Sequence, residues 1–275
     1  MAIILRADRA VFRFAGPDAH KLLNDVVTGH IPASAESSAA WWALLSPQGK
    51  ILAEGLAAWA EGALWLDVHA GVADDFFRRM RMYRLRAQVE IADLRESHRV
   101  GFSPEPEPVP GAAQDRRGPV QLGWRVIAPV DETAGWVQAD HAFQAARIGA
   151  GIAIQGNDFP TNDIFAHDIG MDILDGVDFA KGCYVGQEVV SRMKHRGTAR
   201  RRPVLVSGIE APGPVMAGPR EAGALGQVVG GRAVAILRLD RITDPGAVTI
   251  AGRPVALALP SWATYAFGGA ADGEA

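Results

Sequence analysis

The segment Lys181-Gly182-Cys183-Tyr184-Val185-Gly186-Gln187-Glu188 holds the only cysteine of the 275-residue chain. Gly182 and Gly186 bracket the thiol, so the backbone can turn sharply or approach a ligand closely on either side of it. From Val185 the apolar positions Val189, Val190 and Met193 fall at a spacing that predicts a helix starting just after the cysteine. A thiol near a helix N-terminus, with Lys181 beside it, has its thiolate favoured by the helix dipole and by the neighbouring positive charge. Cys183 is therefore a candidate nucleophile or metal ligand. Cysteine is also among the most often buried residue types, where it acts as a small hydrophobe. The sequence leaves both readings open.

Downstream, six of the eleven residues from Arg192 to Arg202 are Arg or Lys, although the whole chain carries a formal charge of −3. Such a run suits the carboxylates of an anionic ligand through charge-assisted hydrogen bonds. It equally suits a solvated loop or a surface for an acidic partner. His195 invites a Cys–His nucleophilic pair with Cys183, a thiol hydrolase that requires hydrogen-bonding reach and an oxyanion site. His167, Asp168 and Asp172 lack the Cys/His spacing of a metal centre, and a lone His among carboxylates is more often simply hydrogen-bonded. His69 and His141 read as incidental, and the seven tryptophans as core or pocket wall.

These residues need elements to place them. Gly16-Pro17-Asp18 predicts a helix start, with Leu22, Leu23, Val26 and Val27 on one face and Gly29 as its stop. Trp41 to Leu45 and Ile51 to Trp59 flank the turn Ser46-Pro47-Gln48-Gly49-Lys50, and Glu61-Gly62 leads into Ala63 to His69, which predicts an antiparallel meander. Val72, Phe76, Met80 and Tyr83 have helical spacing, and Ala87 to Ile91 reads as a strand. Ser103 to Pro119 contains five prolines and predicts an extended surface loop. Gln121 to Pro129 then reads as a strand and Gln138 to Ile148 as a helix. From Arg202 the texture becomes short strands divided by Gly and Pro: Val204 to Gly208, Leu225 to Val229, Ala233 to Leu239, Val248 to Ile250 and Val255 to Leu259. That pattern fits a small C-terminal barrel.

At 48% hydrophobic residues the chain can bury a sizeable core. No apolar run approaches the ~20 residues of a membrane-spanning helix. The N-terminus, Met-Ala-Ile-Ile-Leu-Arg-Ala-Asp, does not read as a signal peptide, and a single thiol forms no internal disulfide. The expected location is the bacterial-type cytoplasm or an equivalent reducing compartment. The negative charge argues against a generic nucleic-acid coat.

Lys-Gly-Cys-Tyr-x-Gly-Gln-Glu is the signature of the YgfZ-type folate-binding family, related in fold to the T-protein of glycine cleavage. Lys181 to Glu188 matches every fixed position. The chain also resembles the family at Gly16-Pro17-Asp18-Ala19, at Leu45-Ser46-Pro47-Gln48-Gly49-Lys50, at Arg147-Ile148 with Gly151, at Arg196-Gly197 and at Leu225-Gly226-Gln227-Val228. The resemblance implies an α+β fold, a T-protein-like ring of small mixed α/β domains with a C-terminal β-barrel. Residues 1–201 would form the folate-binding region from two interleaved domains, residues 202–266 the barrel and residues 267–275 a flexible tail.

The resemblance further implies that tetrahydrofolate or a derivative binds in a central channel. Lys181, Tyr184, Gln187, Glu188 and Arg196 would be its binding residues, with Gln187 and Glu188 lining the channel and Tyr184 lying along a flat ring. Cys183 would be the functional thiol. The implied role is in iron–sulfur cluster assembly, extending to cluster enzymes that modify tRNA, with a carrier or client protein as partner. No membrane and no direct nucleic-acid binding are expected. A transient cluster on Cys183 would need further ligands from a partner, since clusters normally take four protein ligands.

The rival reading is a tetrahydrofolate-dependent one-carbon transferase of the aminomethyltransferase type, or a demethylase. The T-protein's Arg-Leu-Glu-Ala-Gly stretch is here Arg147-Ile148-Gly149-Ala150-Gly151, without the carboxylate. Its Asn-Ala-x-Asn motif is replaced by Val68-His69-Ala70-Gly71, so that Asp74 or Asp75 matches the catalytic aspartate only with a shift. Phe165-Ala166-His167-Asp168 stands where many relatives have Pro-His-Glu.

Overall fold

A computed structural model of the chain describes residues 3–268 apart from Ala139 and Thr198. Residues 269–275, most of the expected flexible tail, lie outside the described residues.

The strands assemble into three sheets. The first follows the order β3-β4-β5-β2-β6. It comprises β2 (Arg9–Ala15), β3 (Ala40–Leu45), β4 (Ile51–Ala60), β5 (Ala63–His69) and β6 (Glu90–Asp93). Its centre is the expected meander. Glu61 and Gly62 both have positive φ between the paired Ala60 and Ala63, a two-residue turn that matches strand twist. Alternation divides the sheet between two cores: Trp42 and Leu44 face one cluster with Phe12, Phe14 and Phe76, whereas Trp41 and Leu45 face another. Burial on both faces explains why β3 and β4 read as continuous apolar runs.

Helices α1 (Ala19–Val26) and α2 (Ala73–Arg84) cover the first of these faces through Leu22, Leu23, Val26, Phe76 and Met80. Helix α1 stops three residues before the expected Gly29. That glycine serves close packing instead, because a Cβ there would sit 2.1 Å from the Trp41 carbonyl oxygen.

The second sheet has the order β1-β7-β9-β8, formed by β1 (Ile4–Leu5), β7 (His98–Ser103), β8 (Ala113–Arg117) and β9 (Val120–Pro129). Strand β8 lies inside the Pro-rich stretch read as a surface loop. Pairing with β9 and burial of Asp115 and Arg117 recruit it into the sheet. Helix α3 (Asp140–Gly149) packs on this sheet, with Phe143 edge-on to Phe102 at 4.9 Å.

The third sheet is the near-closed C-terminal barrel, in the order β15-β14-β11-β12-β13-β10-β16. Its strands are β10 (Arg201–Ser207), β11 (Val215–Ala217), β12 (Arg220–Leu225), β13 (Arg232–Arg238), β14 (Val248–Ile250), β15 (Arg253–Pro254) and β16 (Ala256–Ala258). Between α3 and the barrel runs an irregular segment with buried Ile154, Phe159, Ile169, Met171 and Leu174, followed by α4 (Gln187–His195). One hydrophobic cluster extends from Trp41 through Ile154 and Ile169 to Val204 and Ile250, so the barrel shares its core with the rest of the chain. Among the described residues no helix is long and apolar enough to cross a membrane.

Candidate functional site

The turn that carries Cys183 is pinned on both sides. Upstream, Asp178 Oδ1 accepts the backbone N–H groups of Ala180 at 2.8 Å and Lys181 at 3.1 Å. Lys181 Nζ donates to the carbonyls of Asn24 at 2.9 Å and Gly29 at 2.7 Å. Burial lowers the Lys181 ammonium to about 8 against the opposing pull of Asp178 and Asp25. The buried Tyr184 ring lies 5.3 Å from the same ammonium, and burial pushes its phenol up to about 12. Downstream, Gly186 has φ +83°, and a Cβ there would sit 2.7 Å from the Ser46 carbonyl oxygen. Val189 of α4 closes against Gly49. The hairpin turn between β3 and β4 is therefore the seat of the α4 N-terminus.

Cys183 itself is exposed, which removes the buried-hydrophobe reading. Helix α4 begins at Gln187, so the thiol stands ahead of the helix and outside its first turn. His195 ends that helix, roughly 12 Å along its axis from Gln187, and no hydrogen bond joins it to Cys183 among the described residues, so the pair of a thiol hydrolase is not formed in this structure.

Lys181, Cys183, Tyr184 and Gln187 thus share one turn. Glu188 points outward instead of lining a channel: its side chain is 84% exposed and its carboxylate pairs with Arg192 one helical turn on. Arg196 is exposed at the end of α4. The basic run is partly consumed internally. Arg201 donates to Asp168 at 2.7 Å, and Arg202 grips Asp172 at 2.7 and 3.0 Å. Lys194 lies 3.7 Å over the Phe179 ring. His167 is buried, and burial lowers its pKa against the opposing pull of Asp172. No group of three or more His, Cys, Asp or Glu side chains is placed to hold a metal ion among the described residues.

The middle of the molecule is a buried charge network with no counterpart among the sequence-predicted site residues. Asp67 of β5 accepts Arg9 of β2 at 2.6 Å and, on its other oxygen, Arg125 of β9. Glu54 of β4 accepts Trp41 Nε1 at 2.8 Å, Arg9 at 3.4 Å and the Gln155 N–H at 3.3 Å. Burial pushes the Asp67 carboxyl up, but Arg125 and Arg9 outweigh it and hold it below the ordinary value. The space among these groups is about 20 Å³, room for a water and far too little for a pterin. The signal was present in the sequence: single carboxylates in Ile51-Leu52-Ala53-Glu54-Gly55-Leu56 and Leu64-Trp65-Leu66-Asp67-Val68 interrupt otherwise apolar strands, and a buried charge demands a partner.

A larger cavity, about 350 Å³, opens beside this network. Trp59, Trp65, His98, Ile127 and Pro129 wall it, and Arg125 forms its inner end. The Trp59 and Trp65 indole N–H groups already donate to the Pro32 and Ala60 carbonyls, so their rings offer faces. Arg125 Nη2 is buried and has no hydrogen-bond partner among the described residues. This cavity sits at the β4–β5 turn, whereas the Cys183 turn sits at the β3–β4 turn. The ten residues of β4 separate the two by roughly 30 Å.

Asp74 and Asp75 lie on the surface and pair with Arg95 and with Arg78 and Arg79. Gly149 is exposed, and the neighbouring Arg147 is buried against Asp158 at 2.6 Å.

Two helix-covered sheets and a near-closed barrel make up the fold. The chain matches the crystal structure of glycine cleavage system aminomethyltransferase T from Bartonella henselae with a TM-score of 0.70 at 16% identity, over 97% of this chain and 87% of that one. Residues 200–265 match the family described as CAF17, C-terminal beta-barrel domain. By sequence the chain is similar to the iron-sulfur cluster assembly factor IBA57 homolog, mitochondrial, of Pyricularia oryzae, at 29% identity over 70% of this chain and 54% of that protein. It is also similar to mitochondrial IBA57 of Mus musculus, at 27% over 86% of this chain and 77% of that protein, and of Homo sapiens, at 26% over 92% and 83%. The match thus spans about half the length of the fungal relative. The names these comparisons carry are IBA57 and CAF17, not YgfZ.

The relatives correct the expected cytoplasmic location, because they are mitochondrial proteins. A lone free thiol fits any reducing compartment and could not tell one from another.

Proposed function

We propose that this chain is an iron–sulfur cluster assembly factor that offers the thiolate of Cys183 to a cluster held by a carrier or client protein. The observation that carries the reading is the placement of the only thiol, exposed on a turn whose two sides are fixed by Lys181 and Gly186. The IBA57 relatives support the same role. On coordination the thiol releases its proton to solvent and the sulfur occupies one iron site, with the remaining ligands supplied by the partner. The test is anaerobic mixing with a cluster-loaded carrier, followed by visible absorption and gel filtration. Co-elution of cluster and chain, lost in Cys183→Ser, is expected; equal retention by the serine variant would reject the role.

A reduced folate belongs to the same proposal, in the aromatic cavity and not at the Cys183 turn. The cavity volume, the faces of Trp59 and Trp65 and the spare donor of Arg125 suit a flat ring bearing an oxo group. Tetrahydrofolate should quench tryptophan fluorescence on titration, and Trp65→Ala should weaken binding about tenfold, the effect of losing one stacking face. Unchanged affinity in that variant would remove folate from this cavity. Asp67, held ionised between two guanidinium groups, would be a poor base for one-carbon transfer.

A further inference from the structure

Helix α2 turns a second face to solvent that the folding of the chain does not use. Its buried stripe is Ala73, Phe76 and Met80. Opposite it, Arg78, Arg81, Met82 and Leu85 recur at i, i+3, i+4 and i+7, the spacing of a single helical stripe. Met82 is 62% and Leu85 86% exposed, the highest values among the exposed large apolar residues described. Leu85 also has φ +40° at the helix end, a conformation that costs a branched side chain energy which burial does not repay here. Beside Met82 the surface forms a groove of about 370 Å³ lined by Phe77, Arg78, Arg81 and Arg84, with the single carboxylate Asp74. Arg86 is exposed just beyond it. Of the nearby carboxylates, Asp74 is paired with Arg95, and Asp75 with Arg78 and Arg79.

We propose that this face of α2 docks an acidic amphipathic helix of a partner protein, with aliphatic side chains on Met82 and Leu85 and carboxylates on Arg81, Arg84 and Arg86. The mixture selects the partner class. Two adjacent aliphatic side chains offer nothing to a phosphate backbone, and the cations around them match the polar flanks of an acidic helix laid in a groove.

The test is fluorescence anisotropy with a synthetic 18-residue helix carrying leucine on one face and glutamate on the other, run on the full chain. Polyglutamate of equal charge, a single-stranded oligonucleotide and phosphatidylserine vesicles are the competing probes. The amphipathic peptide should bind at least tenfold more tightly than polyglutamate. Leu85→Gly and Arg81→Glu should each lower its affinity about tenfold. Glycine tolerates the positive φ, so Leu85→Gly should keep the thermal midpoint and report on the surface alone. Cys183→Ser should bind the peptide like the wild type, which separates this face from the thiol's role. Equal binding of polyglutamate, tighter binding of the oligonucleotide or vesicles, or an unchanged affinity in Leu85→Gly would each overturn the proposal.

Discussion

Lys181 shows how a residue in a functional motif can work through structure. Its amine reaches two backbone carbonyls and is lowered by burial to about 8 from an ordinary 10.5. Below pH 8 folded and unfolded chains both carry the charge, and the burial penalty is complete. Between about 8 and 10.5 the folded chain binds fewer protons than the unfolded one, so the Lys181 contribution to stability rises with pH. The thermal midpoint of the wild type relative to Lys181→Met should therefore climb from pH 7.5 to pH 10; a constant difference would mean that the amine is not desolvated. Asp67 makes the opposite case, a residue read as ordinary strand that holds the centre. Asp67→Asn leaves Arg9 and Arg125 buried with one carboxylate fewer, and denaturant titration should show a loss of about 3–5 kcal/mol.

At the scale of elements, most of what periodicity can encode was legible. The meander, α1, α2, α3 and β9 fall within a few residues of their expected places because each carries its own buried stripe or bounded apolar run. Strand β8 was not legible, since its polar sequence Ala113-Gln114-Asp115-Arg116-Arg117 gains its reason only from β9 beside it. The start of α4 was read too early because Val185 is apolar, whereas Gly186, in left-handed conformation, sets the true boundary. The same glycine tests how the thiol turn is held. Gly186→Ala places a Cβ against the Ser46 carbonyl at a φ that alanine disfavours, and should cost about 1–3 kcal/mol in thermal or chemical unfolding. No loss would show that the turn has slack.

The whole molecule separates two kinds of site by the length of one strand. The thiol turn lies at one end of β4 and the aromatic cavity at the other, with the Arg9–Asp67–Arg125 network between them. Lys181, Tyr184 and Gln187, grouped with Cys183 by the sequence resemblance, stay together on the thiol turn, whereas Glu188 and Arg196 face solvent along and beyond α4. The shared core makes the barrel integral to this arrangement. A chain ending at residue 201 would expose Ile154, Ile169 and their neighbours, and should unfold without a cooperative transition, whereas a sharp melt would mark the barrel as separable.

Cys183 is exposed, so a serine in its place should leave stability within about 1 kcal/mol of wild type. In cells deprived of IBA57, the wild-type chain directed to mitochondria should restore the activity of a cluster-dependent enzyme. Cys183→Ser, present at the same level by immunoblot, should fail to do so. Full restoration by the serine variant would mean that the Cys183 thiol is not the group that meets the cluster.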